Sequence, residues 1–254
     1  MQQTVQSMKY EEIKTDGFLS NFVNCFWTSK TLTKSSDYTI LPDGFFDLII
    51  EIKNKKISSV KLTGIWTVPI DIKTEIHTVF FAVRFKPLAI ELLENINLKS
   101  LLNSSIYLGT DFIGIDNLAF DNFKDFCKHI ENYLQNRIEQ SKTINDLKIR
   151  LFNEIYKKEV FNVREISEKV FWTSRQINRY FNLTFGLSLK EYLNIIRSNQ
   201  TFKDIANKNL APQNKYFDQS HFIKEIKRYT GVTPKELSRN ENDRFLQLLT
   251  INGI

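Results

Sequence analysis

The chain has 254 residues, a net charge of +6 and a hydrophobic content of 42%. Chains of this length commonly fold as two domains, and this apolar content is enough to form their cores. No run of 18 apolar residues exists and the first residues lack a signal-peptide pattern, so neither a membrane span nor export is expected. Cys25 and Cys127 make no disulfide framework, which suits a reducing cytoplasm.

The excess positive charge lies in the C-terminal part of the chain. Residues 1–159 hold 20 Lys and Arg against 20 Asp and Glu, whereas residues 160–254 hold 15 against 9. A polyanion partner such as DNA would need this distribution, although chance asymmetry in a Lys- and Asn-rich chain gives the same pattern.

The N-terminal region has the pattern of short strands separated by turns. Strands are predicted over residues 18–27, 38–41, 46–52, 60–66 and 77–85, with turns at 41–44 and 53–56 and a short helix over 87–95. This pattern predicts an antiparallel sheet or a small β-barrel, assigned to a domain over residues 1–120.

Two amphipathic helices are predicted next, with a break at residues 141–143. The first carries apolar residues at helical spacing: Phe123, Phe126, Cys127, Ile130, Tyr133, Leu134 and Ile138. The second carries Ile144, Leu147, Leu151, Phe152 and Ile155. They form a helical connector over residues 121–160. Its apolar stripe fits either a homodimer interface or packing within the chain, and the sequence leaves both open.

Four helix starts are marked by capping-box pairs. These are Asn162 with Glu165, Thr173 with Gln176, Ser188 with Glu191, and Thr233 with Glu236. In each pair the first side chain accepts from the third amide of the helix and the second side chain reaches back. Because each pair precedes an apolar helical pattern, together they predict an all-helical C-terminal region.

The helix that begins after Thr173 has one apolar and one polar face. Ile177 and Phe181 are four residues apart and are expected in a core. Arg175, Asn178, Arg179 and Asn182 follow the i, i+3, i+4, i+7 pattern on another face. Arg can bind guanine and Asn can bind adenine through two hydrogen bonds in the major groove. The alternative is a solvated helix face.

Residues 163–237 resemble the DNA-binding domain of the AraC/XylS family of bacterial transcription regulators. The resemblance rests on Thr173-Ser-Arg-Gln-Ile-Asn-Arg-Tyr-Phe, Gly186-Leu-Ser-Leu-Lys-Glu-Tyr-Leu and Asp218-Gln-Ser-His-Phe-Ile-Lys-Glu-Ile-Lys-Arg-Tyr-Thr-Gly-Val-Thr-Pro. It implies two helix-turn-helix units over residues 161–240, joined by a long helix that starts near Ser188. The site residues it implies for DNA binding are Thr173, Ser174, Arg175, Gln176, Asn178, Arg179, Asn182, Gln219, Ser220, His221, Lys224, Lys227 and Arg228.

The chain departs from the family pattern before the second recognition helix. Residues 207–217 are roughly five residues short of the usual arrangement, and Pro212 cannot lie inside a regular helix. We therefore expect only a turn before a helix capped by Asp218. Glu225 is expected on the outer face of that helix, so the unit should add affinity more than specificity.

The N-terminal region also resembles a known module. Leu41-Pro-Asp-Gly-Phe-Phe-Asp-Leu-Ile-Ile and Val83-Arg-Phe-Lys-Pro are similar to the sensor-like module of a subgroup of AraC-type regulators. The resemblance implies that residues 1–120 form a regulatory domain that binds a small-molecule effector. The many Phe residues fit either an apolar ligand pocket or an aromatic core.

Residue clusters typical of catalysis are absent from the sequence. Only three His occur, without the spacing of a metal site, and no Gly-rich phosphate loop is present. Asp43 is expected to form a turn and Asp47 to accept a structural hydrogen bond, while Arg84 fits either solvent or a polar pocket. No enzyme activity, metal or cofactor is therefore predicted.

The sequence predicts an α+β protein, with an N-terminal sheet, a helical connector, an all-α DNA-binding region and a C-terminal tail over residues 241–254. Expected partners are double-stranded DNA, a small-molecule effector, RNA polymerase and a second copy of the chain. Two alternatives remain. One is a ligand-binding barrel or enzyme with an appended helical domain, and the other is a helix-turn-helix protein whose second unit contacts protein.

Overall fold

The computed structural model describes residues 8–32, 35–117, 122–141, 144–157, 162–211 and 216–251. The strands are β1 (Met8–Lys14), β2 (Val23–Thr31), β3 (Ser36–Ile40), β4 (Phe46–Lys53), β5 (Lys56–Thr63), β6 (Ile70–Thr74), β7 (Val79–Phe85) and β8 (Ser105–Leu108). Six of them form one antiparallel sheet in the order β1-β2-β7-β4-β5-β8, and β3 pairs with β6 in a second sheet.

The helices follow the sheet in the chain. They are α1 (Phe123–Gln140), α2 (Asp146–Tyr156), α3 (Val163–Val170), α4 (Ser174–Thr184), α5 (Leu189–Ala206), α6 (Gln219–Thr230), α7 (Pro234–Arg239) and α8 (Leu246–Ile251). Short 3₁₀ helices cover Phe18–Asn21, Pro87–Leu92, Leu98–Leu101, Phe112–Asn117 and Glu241–Asp243. The predicted α+β fold class is confirmed. Among the described residues, no helix is both long and apolar enough to cross a membrane.

The strand predictions are confirmed where apolar residues alternate, as in β4, where every second residue is buried. The prediction for residues 18–27 is wrong at its start, because Phe18–Asn21 forms a 3₁₀ helix before β2. Strands β1, β6 and β8 were not predicted from the sequence. β1 and β8 lie at the edges of the large sheet and bury few residues, and β6 is a short strand of the two-stranded sheet in which Thr74 is its buried residue.

Aromatic side chains fill the space between the inner face of the large sheet and α1. Phe26 and Phe81 contact Phe126 of α1, at ring-centroid distances of 6.3 and 5.6 Å. Phe126, Ile130 and Leu134 are at most 1% exposed. These residues of the α1 stripe are therefore packed against the sheet within the chain, and the homodimer stays a prediction. Aromatic side chains fill the space between α1 and this face of the sheet, as the aromatic-core alternative predicts.

The apolar core continues from the sheet into the first helices of the C-terminal region. One buried cluster contains Phe46 of β4, Phe152 of α2, Phe181 of α4 and Tyr192 of α5. The domain boundaries predicted near residues 120 and 160 lie outside the described residues. The segment predicted as a C-terminal tail folds back, because Leu248 is 1% exposed and Gln247 bonds the backbone of Leu41 at 3.0 and 2.9 Å.

Candidate nucleic-acid interface

The first helix pair consists of α3 and α4, joined by residues 171–173. Thr173 caps α4 in a complete capping box with Gln176, as predicted from their spacing. Asn162 caps α3 by accepting from the backbone of Arg164, without the predicted return bond from Glu165 among its cap contacts. The predicted boxes at Ser188 and Thr233 are both present. The helix starts were therefore predictable from local chemistry.

Helix α4 is oriented by one buried face. Ile177 and Phe181 are fully buried, and Phe181 packs against Phe185 and Tyr192 at centroid distances of 5.0 and 5.5 Å. Tyr180 donates a hydrogen bond to Glu91 beside the sheet at 3.0 Å. These contacts leave the opposite side of the helix in solvent.

The solvent side of α4 carries most of the residues predicted for the first unit. Arg175, Gln176, Arg179 and Asn182 are exposed, and the helix contains no Asp or Glu. Thr173 is exposed at the cap, while Ser174 is half-buried and bonds Ser167 of α3 at 3.1 Å. The exposed face therefore offers two guanidinium groups, while the amide of Gln176 is bonded to Thr173 in the capping box and Asn182 donates to the carbonyl of Asn178 at 2.8 Å. The helix has no carboxylate of its own.

Asn178 belongs to the protein framework. Its Nδ2 donates to the carbonyl of Ser174 at 2.9 Å, and its Oδ1 accepts from the amide of Leu189 at 3.2 Å. The side chain is half-buried and connects α4 to the first turn of α5. Each end of the amide is thus bonded within the protein and keeps one further donor hydrogen or lone pair. In the structure Asn178 links two helices, and its predicted contact with a base stays a prediction.

Helix α5 is the structural link between the two helical units. It starts after Ser188 and continues past Arg197, as the family resemblance implies. Nine of its side chains are buried: Leu189, Tyr192, Leu193, Ile195, Ile196, Ser198, Thr201, Phe202 and Ile205. Tyr192 joins the core around α4, and Phe202 joins the separate core around α6. Both units are thus packed on one helix.

The second unit is centred on α6, which Asp218 caps by accepting from the backbone of His221 at 2.7 Å. Phe222, Ile226 and Tyr229 are buried as predicted. The predicted DNA-binding residues of this unit are all exposed: Gln219, Ser220, His221, Lys224, Lys227 and Arg228. The side chain of Gln219 also donates to the carbonyl of Leu210 at 3.1 Å.

The prediction for Glu225 is wrong. Its side chain is 8% exposed, and Arg197 of α5 donates to its two oxygens at 3.0 and 2.5 Å. Arg197 also lies 5.1 Å from the ring centroid of Tyr216. Helical spacing placed Glu225 on the outer face of α6, and its charge favoured the same placement, because charged residues normally avoid a core. Pairing with Arg197 instead fixes the angle between α5 and α6.

The described residues between α5 and α6, 207–211 and 216–218, form no helix. This agrees with the predicted reduction of the second unit to a turn before its recognition helix. Pro212, on which part of that prediction depends, lies outside the described residues.

Two exposed aromatic residues were not expected from the sequence. Phe171 is 84% exposed and Phe217 is 94% exposed, although both are large apolar side chains. Phe171 ends α3 in the left-handed conformation, with φ of 55°, and Phe217 directly precedes the cap of α6. In the sequence, each of these Phe residues lies one or two positions before a predicted helix cap, where a large apolar residue is unexpected. This position is the signal that could have identified them.

The sheet contacts the helical region through the turn at Asp43 and Gly44. The hydroxyl of Tyr192 donates to the carbonyl of Gly44 at 3.0 Å and lies 2.7 Å from the hydroxyl of Tyr156. Asp43 accepts from the amide of Phe45 at 3.0 Å, as a turn former does. The predicted turn role of Asp43 is confirmed.

Arg84 lies in a polar cluster on the sheet face opposite the core. Its Nε donates to Asp47 at 3.2 Å and lies 3.8 Å from Asp43. Trp27 also donates to Asp47 at 3.3 Å, which confirms Asp47 as a structural acceptor. Burial raises the pKa of the Asp43 carboxyl, and the charge of Arg84 partly opposes that rise. Within the described residues, no group of three or more metal-ligating side chains could hold a metal ion.

Comparisons with known proteins give limited matches. Residues 11–107 match the family model described as "Domain of unknown function (DUF6597)", which spans the sheet region. No curated protein matches the chain.

Solved structures of ToxT from Vibrio cholerae are similar over most of the chain. One at 1.65 Å resolution is 12% identical with a TM-score of 0.45, covering 92% of this chain and 98% of that one. Another, from strain O395, is 12% identical with a TM-score of 0.43, covering 98% and 99%. A third, described as bound to an unsaturated fatty acid, is 13% identical with a TM-score of 0.38, covering 93% and 96%. Similarity at this level carries no conclusion about function.

Proposed function

We propose that this chain is a DNA-binding transcription regulator of the AraC type, in which α4 and α6 bind in the major groove. The observation that carries the proposal is the exposed face of α4, where Arg175, Arg179 and Asn182 project from a helix without a carboxylate. Guanidinium and amide groups in this setting are suited to base edges. The resemblance of residues 163–237 to the AraC/XylS DNA-binding domain supports the same assignment.

The two units have different roles in this proposal. The first unit selects the sequence through Arg175 and Arg179. The second unit supplies Lys224, Lys227 and Arg228 to the phosphates, since Glu225 is committed to Arg197. A helix held at a fixed angle by that ion pair can still position three cations along the duplex backbone.

The sheet region is regulatory in the same proposal. A conformational change in the sheet would reach α5 through the contact between Gly44 and Tyr192. A small-molecule effector would have to bind outside the filled inner face of the sheet. A homodimer would need a surface other than the buried stripe of α1. RNA polymerase is the protein partner that a regulator of this type requires. The chain has no catalytic role in this scheme.

The proposal is tested by comparing the DNA binding of two variants, Arg179→Ala and Lys224→Ala. A duplex is first selected from a random pool with the full chain. Arg179→Ala should then weaken binding to that duplex by about 1–3 kcal/mol and relax its preference at one or two base positions. Lys224→Ala should weaken binding to all duplexes about equally and lower the slope of log affinity against log salt by about one.

The matched control is Arg150→Ala, which removes an exposed guanidinium from α2. It should leave both affinities unchanged. Equal losses of Arg179→Ala on the selected and the random duplex would show phosphate contact alone and contradict base recognition. If the chain selects no duplex from the pool, the proposed function is wrong.

A further inference from the structure

Two aromatic rings stand in solvent next to the starts of the helices proposed to bind DNA. Phe171 precedes the cap of α4 by two residues, and Phe217 precedes the cap of α6 by one. They are the two most exposed large apolar side chains among the described residues, at 84% and 94%. An exposed Phe just before a helix cap therefore occurs twice, at positions 46 residues apart in the chain.

The backbone at Phe171 is unfavourable for the residue that occupies it. At φ of 55° the Cβ of an L residue is crowded, so helices that end in this conformation usually carry Gly. The chain follows that rule at the end of α6, where Gly231 has φ of 76°. A large residue kept in a strained and exposed position indicates a role outside the folding of the chain.

The neighbour of Phe171 shows that the turn has room to bury an aromatic ring. Trp172 is half-buried and packs on Tyr180 with 5.5 Å between the ring centroids. The turn thus directs one ring inward and the other outward. The outward ring lies beside the N-terminal turn of α4, which carries the exposed Arg175 and Gln176.

We propose that Phe171 and Phe217 pack against apolar groups of the duplex when α4 and α6 enter the major groove. This inference rests on the proposed function. The N-terminal residues of a recognition helix approach the bases, so a ring just before that helix is carried to the groove edge. The apolar groups available there are the thymine methyl and the carbon face of deoxyribose. Both rings lose exposed surface on binding.

Phe171→Gly separates this role from folding. Gly accepts φ of 55° without crowding, and an exposed ring contributes little packing. The variant should therefore unfold at the same or a higher urea concentration than the original chain. Its affinity for the selected duplex should fall about tenfold, as expected when a partly buried ring is removed. Phe171→Asn, which also tolerates this conformation, should give the same result, and Phe217→Ala should weaken binding in the same direction.

Thymine and deoxyribose are distinguished by a duplex in which deoxyuridine replaces thymidine. If the methyl is the partner, this duplex weakens binding of the original chain and leaves Phe171→Gly unchanged. If deoxyribose is the partner, the replacement has no effect and Phe171→Gly still binds more weakly. Phe18→Ala, which removes a half-exposed ring from the sheet region, is the control and should bind as the original chain does.

Each remaining outcome overturns the inference. Equal affinity of Phe171→Gly and the original chain, while the original chain binds its selected duplex, would reject the aromatic contact and leave the proposed function intact. Absence of any selected duplex would reject both.

Discussion

Single residues in the helical region have roles that depend on their partners. Asn178 and Glu225 both lie on helix positions that periodicity assigns to solvent, yet both bond within the protein. Asn178 connects α4 to α5, and Glu225 connects α6 to α5. The same helix α5 therefore receives a polar contact from α4 and another from α6, and these contacts help to position the two helices relative to one another.

The ion pair between Arg197 and Glu225 should be important for stability. Glu225→Ala leaves the 14%-exposed guanidinium of Arg197 without its bidentate partner. We expect a loss of about 3 kcal/mol in the free energy of unfolding, the lower end for breaking a buried pair. Urea unfolding of the full chain measures this loss.

The control for that prediction is Arg164→Ala in the exposed pair with Glu168, whose side chains are 85% and 64% exposed. It should cost at most about 0.5 kcal/mol, because exposed helix pairs contribute little. The double change Arg197→Met with Glu225→Leu should recover much of the loss, since an apolar pair replaces the buried charges. A loss below about 1 kcal/mol for Glu225→Ala would contradict the prediction.

Among the secondary-structure elements, α4 and α5 both begin with a capping box, but only the box of α5 contains a carboxyl group that titrates. The α5 box uses Glu191, whereas the α4 box uses the neutral Gln176. Hydrogen bonds from the backbone and side chain of Ser188 lower the pKa of Glu191 below its ordinary value of 4.5. A lowered pKa in the folded state means that the ionised carboxylate stabilises the fold above pH 4.5. That contribution is lost as the pH falls through the folded-state pKa.

Glu191→Gln should therefore flatten the acid side of the stability profile. The amide keeps an acceptor for Ser188, as Gln176 does for Thr173, but it does not titrate. Urea unfolding between about pH 3 and pH 7 should show a smaller pH dependence in the variant. Exposed Glu139→Gln on α1 is the control and should retain the original profile. An unchanged slope in Glu191→Gln would show that the box does not contribute.

For the whole molecule, the sheet and the helical region share a core at the turn of Gly44. A Cβ at Gly44 would lie 2.6 Å from Cδ1 of Ile196 and 3.2 Å from Cε2 of Tyr192. Gly17 also has a positive φ, of 55°, with ψ of −149°, and a Cβ there would have nothing within 4 Å, so it is a control for backbone strain without a packing contact. The pair separates backbone strain from the contact between the two regions.

Gly44→Ala should destabilise the chain more than Gly17→Ala. Both should lose roughly 1–2 kcal/mol because of the positive φ, and Gly44→Ala should lose about 1–3 kcal/mol more through overpacking against α5. Ile196→Val removes the Cδ1 atom, so Gly44→Ala with Ile196→Val should recover part of the loss. Urea unfolding measures all three variants. Equal losses at Gly17 and Gly44 would show that the turn is not packed on α5.

The local features of this protein can be predicted from short stretches of its sequence. Capping pairs at Thr173, Ser188 and Thr233, the alternation in β4 and the apolar stripe of α1 each depend on near neighbours, so spacing alone predicts them. The α+β class follows from the order of these elements. The exposed cationic side chains on α4 and α6 were predictable for the same reason.

The partners of residues with more than one possible role became known from the packing of helices and sheets. Arg197 and Glu225 are 28 positions apart, and Gly44 and Tyr192 are 148 apart. Contacts over such distances depend on how helices and sheets pack, which no local pattern encodes. The same limit explains why the stripe of α1 fitted a dimer or the sheet equally well in sequence. The contacts of Phe126 with Phe26 and Phe81 show how this part of the stripe is packed within the chain.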